Sequence, residues 1–339
     1  MKLLVVTQAV DTEDPVLGFF VRWIEEFAKR VEQVEVICLK EGKYDLPSNV
    51  RVHSLGKERG RPLFGSIAYA FRFLRLAWRL YRDYDTVFVH MNQEYILLGG
   101  WLWKLLSKRI FLWRNHYEGS WKTGLAVAFC NTVFCTSRHS YTARYKKTVL
   151  MPVGVDTGRF HPDARVARTP RSVLFLGRMA ASKRPEMLVG ALAELAERGE
   201  DFQATFVGSP LPRDASYYEG LKAQADLLLD ERVTFLPGVP NGETPAFFRS
   251  HEVFVNCSPS GMLDKTLFEA AACSCRVLAS SEDWRALAGE ASYFNSSTPL
   301  AERLHAAFNG SAHPSLEAVV EKNSLTMLAD QLVSIIDAA

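Results

Sequence analysis

Short apolar runs alternate with amphipathic stretches along the whole chain. Lys2–Thr7 (KLLVVT) is a continuous apolar run of strand length, the pattern of a strand covered on both faces. Phe20, Ile24, Phe27 and Val31 recur at helical spacing and predict a helix over Phe19–Val31. Val34–Leu39 and Val50–Leu55 read as further strands, and strand–helix–strand order predicts a parallel sheet. Thr86–His90, Arg109–Trp113, Thr132–Thr136 and Thr148–Met151 extend it.

The alternation resumes after a turn-rich stretch, Met151–Asp163, punctuated by Pro152, Gly154, Gly158 and Pro162. With Ala164–Pro170 it reads as a linker between an N-terminal domain, 1–163, and a C-terminal domain, 164–339. In the second domain, strands are expected at 173–176, Gln203–Val207, Val233–Leu236, Val253–Asn256 and Arg276–Ala279. Helices are expected near 185–198, 215–229, 245–249 and 264–273. Leu325, Leu328, Leu332 and Ile335 share one face of a final helix over Asn323–Ile336, which can cross back to the first domain. The expected fold class is α/β: two Rossmann-like, doubly wound domains facing a central cleft.

Composition supports two cores, with 339 residues of which 48% are hydrophobic and 12% aromatic. The N-terminus turns acidic too soon for a signal peptide, and no charge-free apolar stretch of membrane-spanning length occurs. Cys38, Cys130, Cys135, Cys257, Cys273 and Cys275 form no CxxC pair, which predicts reduced buried thiols in a cytosolic protein and no zinc site. Charge is unevenly spread. Residues 1–160 hold 24 Lys and Arg against 15 Asp and Glu, and residues 161–339 hold 16 against 23. That asymmetry points to an anionic partner for the first half.

Over residues 63–82, Arg72, Arg75, Arg79 and Arg82 form one helical stripe beside Phe71, Leu74, Trp78 and Tyr81. Trp101–Arg109 (WLWKLLSKR) has the same character. Such helices can lie on an anionic bilayer with their arginines reaching phosphates; core-packed helices with solvated basic faces are the alternative. No RNP-like, zinc-finger or basic-region motif accompanies the charge, so nucleic acid is not the expected partner. The expectation is a cytoplasmic protein peripheral on the inner face of the cell membrane.

The candidate chemistry centres on Ser172–Arg184, SVLFLGRMAASKR. A buried strand ends at Gly177, Arg178 follows, Ser182 stands where a helix N-cap would, and Lys183 follows that. Two cations thus flank one loop at the carboxyl end of a parallel sheet, where open α/β sheets bind ligands, beside a helix N-terminus. A diphosphate fits this site. Taken alone, solvated charges beside a loop explain the pair as well. Polar residues also follow two strands of the first half: His90, Asn92 and Gln93, then Arg114, Asn115 and His116. The loop Gln8–Gly18 carries Asp11, Asp14 and Gly18.

The order GVD-x3-F, then GR-x4-K, then a loop leading to LFEAAAC resembles the retaining glycosyltransferases of family 4, which have the GT-B fold. The likeness covers Gly154 to Leu278. It implies a nucleoside-diphosphate sugar as co-substrate, a glycan or lipid-linked acceptor, no cofactor and no required metal. By the same resemblance Arg178 and Lys183 hold the donor diphosphate, with Gly177 in their turn. Glu269 matches the second glutamate of the family's E-x7-E motif, which hydrogen-bonds the ribose. His116 matches a histidine beside the sugar's reaction centre. Gly18 resembles the glycine loop that approaches the donor phosphate. Val207–Pro210, with Gly208, and Gly238–Pro240, with Val239, match loops around the nucleobase. The sequence departs from the motif at its first glutamate, where Gly261 stands in SPSGMLDKTLFEA. Asp264 and Lys265 are the charged residues able to take over donor contacts there, and Ser260–Leu263 can offer backbone N–H groups. That departure motivates a second reading, a non-catalytic nucleotide-sugar-binding subunit of the same fold. A sugar-nucleotide epimerase is a third.

Overall fold

In a computed structural model, which describes residues 1–14, 16–60, 65–261 and 263–339, the chain forms two compact units. One is Met1–Gly154 with Leu325–Ala339, the other Val155–Ser324.

In the first unit, β1 (Lys2–Val10), α1 (Phe20–Ala28), β2 (Gln33–Glu41) and β3 (Val50–Ser54) are followed by α2 (Gly65–Arg79) and β4 (Thr86–His90). Then come α3 (Glu94–Leu105), β5 (Arg109–Trp113), α4 (Trp121–Phe129), β6 (Thr132–Cys135) and β7 (Thr148–Leu150). Among the described residues the strands form one parallel sheet ordered β3-β2-β1-β4-β5-β6-β7. Alternate residues of β1 enter opposite cores, since successive strand side chains point to opposite faces. Leu3 and Val5 meet α1 and the C-terminal helix, Leu325–Ala338, through Phe20, Trp23, Ile24, Leu328 and Leu332. Leu4 and Val6 meet the α2–α4 layer through Phe73, Ile96, Trp103 and Ala126. Arg30 on α1 pairs with Asp330 on the C-terminal helix at 2.7 Å. Gly99 and Gly100 let α3 settle between its neighbours: a Cβ at Gly99 would stand 3.1 Å from Phe73, and one at Gly100 2.8 Å from Phe129.

In the second unit, β8 (Thr169–Leu176), α5 (Pro185–Glu197), β9 (Gln203–Val207), α6 (Ala215–Leu229) and β10 (Val233–Leu236) lead to α7 (Thr244–Ser250) and β11 (His251–Asn256). These are followed by α8 (Lys265–Ala272), β12 (Arg276–Ala279), α9 (Glu282–Ala288), α10 (Ser297–Phe308) and α11 (Glu317–Lys322). The strands form a parallel sheet ordered β10-β9-β8-β11-β12 among the described residues.

Several details differ from the sequence expectation. The division falls at 154/155 rather than 163/164. The turn-rich stretch from 155 on is held to the second unit: Val155 bridges Ser324, Arg249 donates to the carbonyls of Arg159 (2.9 Å) and His161 (2.8 Å), and Phe160 packs on Phe248. β8 begins at Thr169, inside the stretch read as linker, because Thr169 pairs with His251 of β11. Helices α3, α4, α9, α10 and α11 either begin earlier than any segment read as helical or were not legible at all. Leu63 and Phe64 of the basic-aromatic segment lie outside the described residues. All six cysteines are buried. Among the described residues, no helix is long and apolar enough to cross a membrane.

Candidate functional site

At the carboxyl edge of the second unit's sheet, three successive loops are laced to one another. Gly177 donates to Val207 O at 3.0 Å, Met179 to Ser209 O at 3.3 Å, and Gly208 to Leu236 O at 3.0 Å. Gly238 donates to Ser209 Oγ at 2.9 Å, and the half-buried Val239 follows in that loop. A Cβ on Gly208 would stand 1.8 Å from Gly177 O, so only glycine permits this approach of backbone to backbone. Gly208→Ala is therefore expected to push the β8 and β9 loops apart and cost about 2 kcal/mol or more. Thermal unfolding checks this, and a midpoint equal to wild type would show that the loops yield freely.

Arg178 is exposed and makes no ion pair among the described residues. Lys183 is held. Its Nζ donates to both carboxylate oxygens of Asp264, at 2.7 Å and 2.6 Å, and to Ser258 Oγ at 3.1 Å. The Ser258 hydroxyl donates in turn to Asp264, Asn256 Nδ2 donates to Asp264 at 3.0 Å, and Asn256 Oδ1 accepts the Ser258 N–H at 3.0 Å. Burial alone would raise the Asp264 carboxyl, but the Lys183 charge and these hydrogen bonds hold it below its ordinary value.

The helix start differs from expectation. Ala181–Lys183 is a 3₁₀ turn, and α5 begins at Pro185 with Arg184 as its cap residue, not Ser182. Proline suits the first helical position because it lacks an N–H. Arg184 takes a left-handed backbone (φ +49). Its guanidinium donates to Cys257 O and Ser280 Oγ, both at 2.7 Å. Two consecutive cations thus tie the β8 loop to the loops after β11 and β12.

On α8, Lys265 and Glu269 form an i,i+4 pair at 3.9 Å. Glu269 is 2% exposed, and its Oε1 has no hydrogen-bond partner among the described residues. Burial pushes its carboxyl up, against Lys265 and Asn241, which lower it. Burial likewise lowers Lys265. The two residues expected to share donor contacts therefore face different partners, Asp264 toward Lys183 and Lys265 toward Glu269. Gly261 lies in the loop ahead of α8. Its backbone N–H donates to Asp283 Oδ2 at 3.0 Å, and the Glu282 N–H donates to Ser260 Oγ at 2.9 Å, fastening this loop to α9.

The remaining candidates belong to the first unit. Gly18 is buried, where a Cβ would stand 2.7 Å from Asp14 O and 2.8 Å from Thr12 O. Asp11 serves its own loop, accepting the Glu13 and Lys43 N–H groups at 3.1 and 3.2 Å and pairing with Lys40 at 3.2 Å. His116 Nδ1 accepts the Glu118 N–H at 2.9 Å, which leaves the proton of the neutral ring on Nε2. Asn115 accepts from Thr136 N–H and Ser140 Oγ. His90 is 2% exposed and stacks on Phe20 at 3.9 Å, so it is a core residue rather than a polar edge. Arg72, Arg75, Trp78 and Arg79 are exposed on α2, although Arg72 Nη1 donates to Leu55 O at 2.7 Å.

Asn256, Ser258, Arg184 and Asp283 escaped the sequence reading. A polar residue at each end of NCS, where β11 stops, was the available signal.

Comparison with known proteins places this arrangement. A family model described as "Glycosyl transferases group 1" matches residues 170–306, and "Glycosyl transferase 4-like" matches residues 13–114. The chain belongs to the GT-B glycosyltransferases, family 4-like. Among curated proteins it is 35% identical over 146 residues to a GDP-mannose-dependent alpha-(1-6)-phosphatidylinositol monomannoside mannosyltransferase of Mycolicibacterium smegmatis, covering 38% of this chain and 37% of that one. It is 33% identical over 147 residues to a D-inositol 3-phosphate glycosyltransferase of Pseudarthrobacter chlorophenolicus, covering 41% and 35%. The match thus spans little more than a third of each relative's length. Among solved structures, Anabaena Alr3699/HepE in complex with UDP and glucose superposes with a TM-score of 0.80 at 17% identity over all of both chains. The lipopolysaccharide outer core galactosyltransferase WaaB in its apo form gives 0.69 at 15% identity over 100% of this chain and 99% of that one. These likenesses establish the GT-B fold, two Rossmann-like domains.

Proposed function

We propose that this glycosyltransferase-family protein moves a sugar from a nucleoside-diphosphate sugar to a glycan or lipid-linked acceptor, with retention, while bound peripherally to the inner face of the cell membrane. One observation carries the donor half: Arg178 and Lys183 stand on one loop at the carboxyl edge of the parallel sheet. In such a transfer the C1–O bond to the diphosphate breaks, a C1–O bond to the acceptor forms, and the acceptor proton passes to the leaving diphosphate on the same face. Fixed cations where negative charge develops lower that barrier without a metal being required. The Mycolicibacterium relative, named for a GDP-mannose donor and a phosphatidylinositol mannoside acceptor, supports both halves of this reading.

The membrane half rests on the outer surface of the α2–α4 layer. Trp78 (54% exposed), Trp101 (54%) and Trp121 (74%) stand on three different helices. Ile67 and Phe71 on α2, Leu105 on α3 and Leu125 on α4 are exposed with them. Among the described residues, seven of the fifteen exposed large apolar side chains stand on these three helices. Arg75, Arg79, Lys104 and Lys122 lie on the same helices, and apolar groups flanked by cations suit an anionic bilayer. The part played by α4 was not legible in the sequence.

Isothermal titration with UDP, GDP and ADP tests the donor half. Micromolar to sub-millimolar binding of at least one is expected, with heat lost in Arg178→Gln. No binding of any at millimolar concentration overturns it. The replacement at Gly261 favours the binding-subunit reading instead, and release of free sugar or transfer from the donor decides against that alternative.

A further inference from the structure

An ammonium group has three N–H donors, and all three on Lys183 have partners within the protein: Asp264 Oδ1 at 2.7 Å, Asp264 Oδ2 at 2.6 Å and Ser258 Oγ at 3.1 Å. Among the described residues the Asp264 carboxylate is held by three side chains, Lys183, Ser258 and Asn256. The two side chains are 15% and 18% exposed, so water screens the pair only in part. A carboxylate presents two oxygens with a shared negative charge, much as a phosphate does. It lies at the start of α8, where a helix end favours an anion of either kind. Arg178, five residues before Lys183, makes no ion pair among the described residues.

We infer that the Asp264 carboxylate occupies the anion position of Lys183 and gives way to the donor diphosphate, so that Asp264 sets how strongly the site holds phosphate charge. This rests on the donor reading above and adds a residue that determines specificity. With Asp264 present, the Lys183 pair is electrically neutral, and Arg178, with Arg184 bonded to uncharged oxygens, supplies the standing positive charge. The diphosphate of a nucleotide sugar carries two negative charges, and a free nucleoside diphosphate approaches three near neutral pH. An unmasked Lys183 would favour the more highly charged product most. Asp264 therefore keeps the leaving nucleotide from being held too tightly, and its replacement should cause product inhibition.

The test is titration calorimetry of the full chain with inorganic pyrophosphate, UDP and GDP, with uridine and guanosine as uncharged probes. Asp264→Asn keeps the side-chain shape and removes the charge. It is expected to bind pyrophosphate, and whichever of UDP or GDP binds wild type, at least about fivefold more tightly. The gain should shrink in 0.5 M salt, about a level at which charge interactions are strongly screened, and be absent for the nucleosides. Asp264→Glu, which keeps the charge, should stay near wild type. Asp264→Ser carries the same expectation as Asp264→Asn should the asparagine variant fold poorly, judged by circular dichroism. Affinity that is unchanged or weaker in a folded Asp264→Asn or Asp264→Ser protein overturns the inference. Arg178→Gln separates the two failures. If it leaves binding at the wild-type level, the donor reading fails; if it weakens binding while Asp264→Asn brings no gain, this inference alone fails.

Discussion

Lys183→Met is expected to lower stability by about 3 kcal/mol and turnover at least a hundredfold, and adding Asp264→Asn is expected to restore the first but not the second. Removing Lys183 leaves the Asp264 carboxylate, among the described residues, with Ser258 and Asn256 as side-chain partners in a largely closed position. Breaking one side of such a pair is much costlier than replacing both partners. The double variant leaves a neutral amide beside an apolar chain, so urea unfolding should return toward wild type. Turnover follows a different rule. A cation placed where the leaving diphosphate gathers charge contributes about 3 kcal/mol to the barrier, and no change at Asp264 replaces it. Stability and turnover recovering together in the double variant would mean that Lys183 matters only as a structural tie. The pH dependence has a definite sign. Asp264 is held below its ordinary value of 3.8, so its contribution is fully present above about pH 4 and is lost as pH falls through the folded-state value. The double variant should lose less stability than wild type over that acid range.

The second large effect concerns the α2–α4 surface. Replacing Trp78, Trp101 and Trp121 together with serine is expected to reduce partition onto vesicles containing phosphatidylglycerol by at least a hundredfold. Each exposed indole buried in a bilayer interface contributes about 1–2 kcal/mol at the usual apolar-area coefficient. The helices themselves should persist, because their inner faces are anchored by Phe73, Ile96, Trp103 and Ala126, none of which is altered. Flotation with 0.1 M and 0.5 M salt, roughly a twofold change in screening length, separates the apolar from the charge contribution. Wild-type protein that stays out of the lipid fraction on anionic vesicles would remove the membrane half of the proposal. Triple-variant protein that still floats would move the contact to another surface.

How much the sequence could show depended on whether a property lies in one short segment or in several. The strands of both sheets were legible because a strand covered on both faces is a continuous apolar run, as at Leu3–Val6 and Val173–Leu176. The loop carrying Arg178 and Lys183 was legible for the same reason, since it adjoins such a run. The turn-rich stretch before 163 read as a linker because Pro and Gly mark turns whether or not distant groups fasten them. Arg249, far along the chain, helps hold residues 159–161 of that stretch to the second unit. His90 read as polar because its burial under Phe20 depends on where α1 lands.

The chain alone therefore determined the α/β class, the two runs of parallel strands, the cation pair after β8 and the concentration of basic and aromatic residues in the first half. Each is a matter of composition or of periodicity over a few residues. Only the tertiary structure decided that Lys183 is engaged by Asp264, that Gly208 must be glycine, and that Trp78, Trp101 and Trp121 are all exposed. Those facts depend on distances between residues tens of positions apart, and such distances are set by the packing of whole elements rather than by any local pattern.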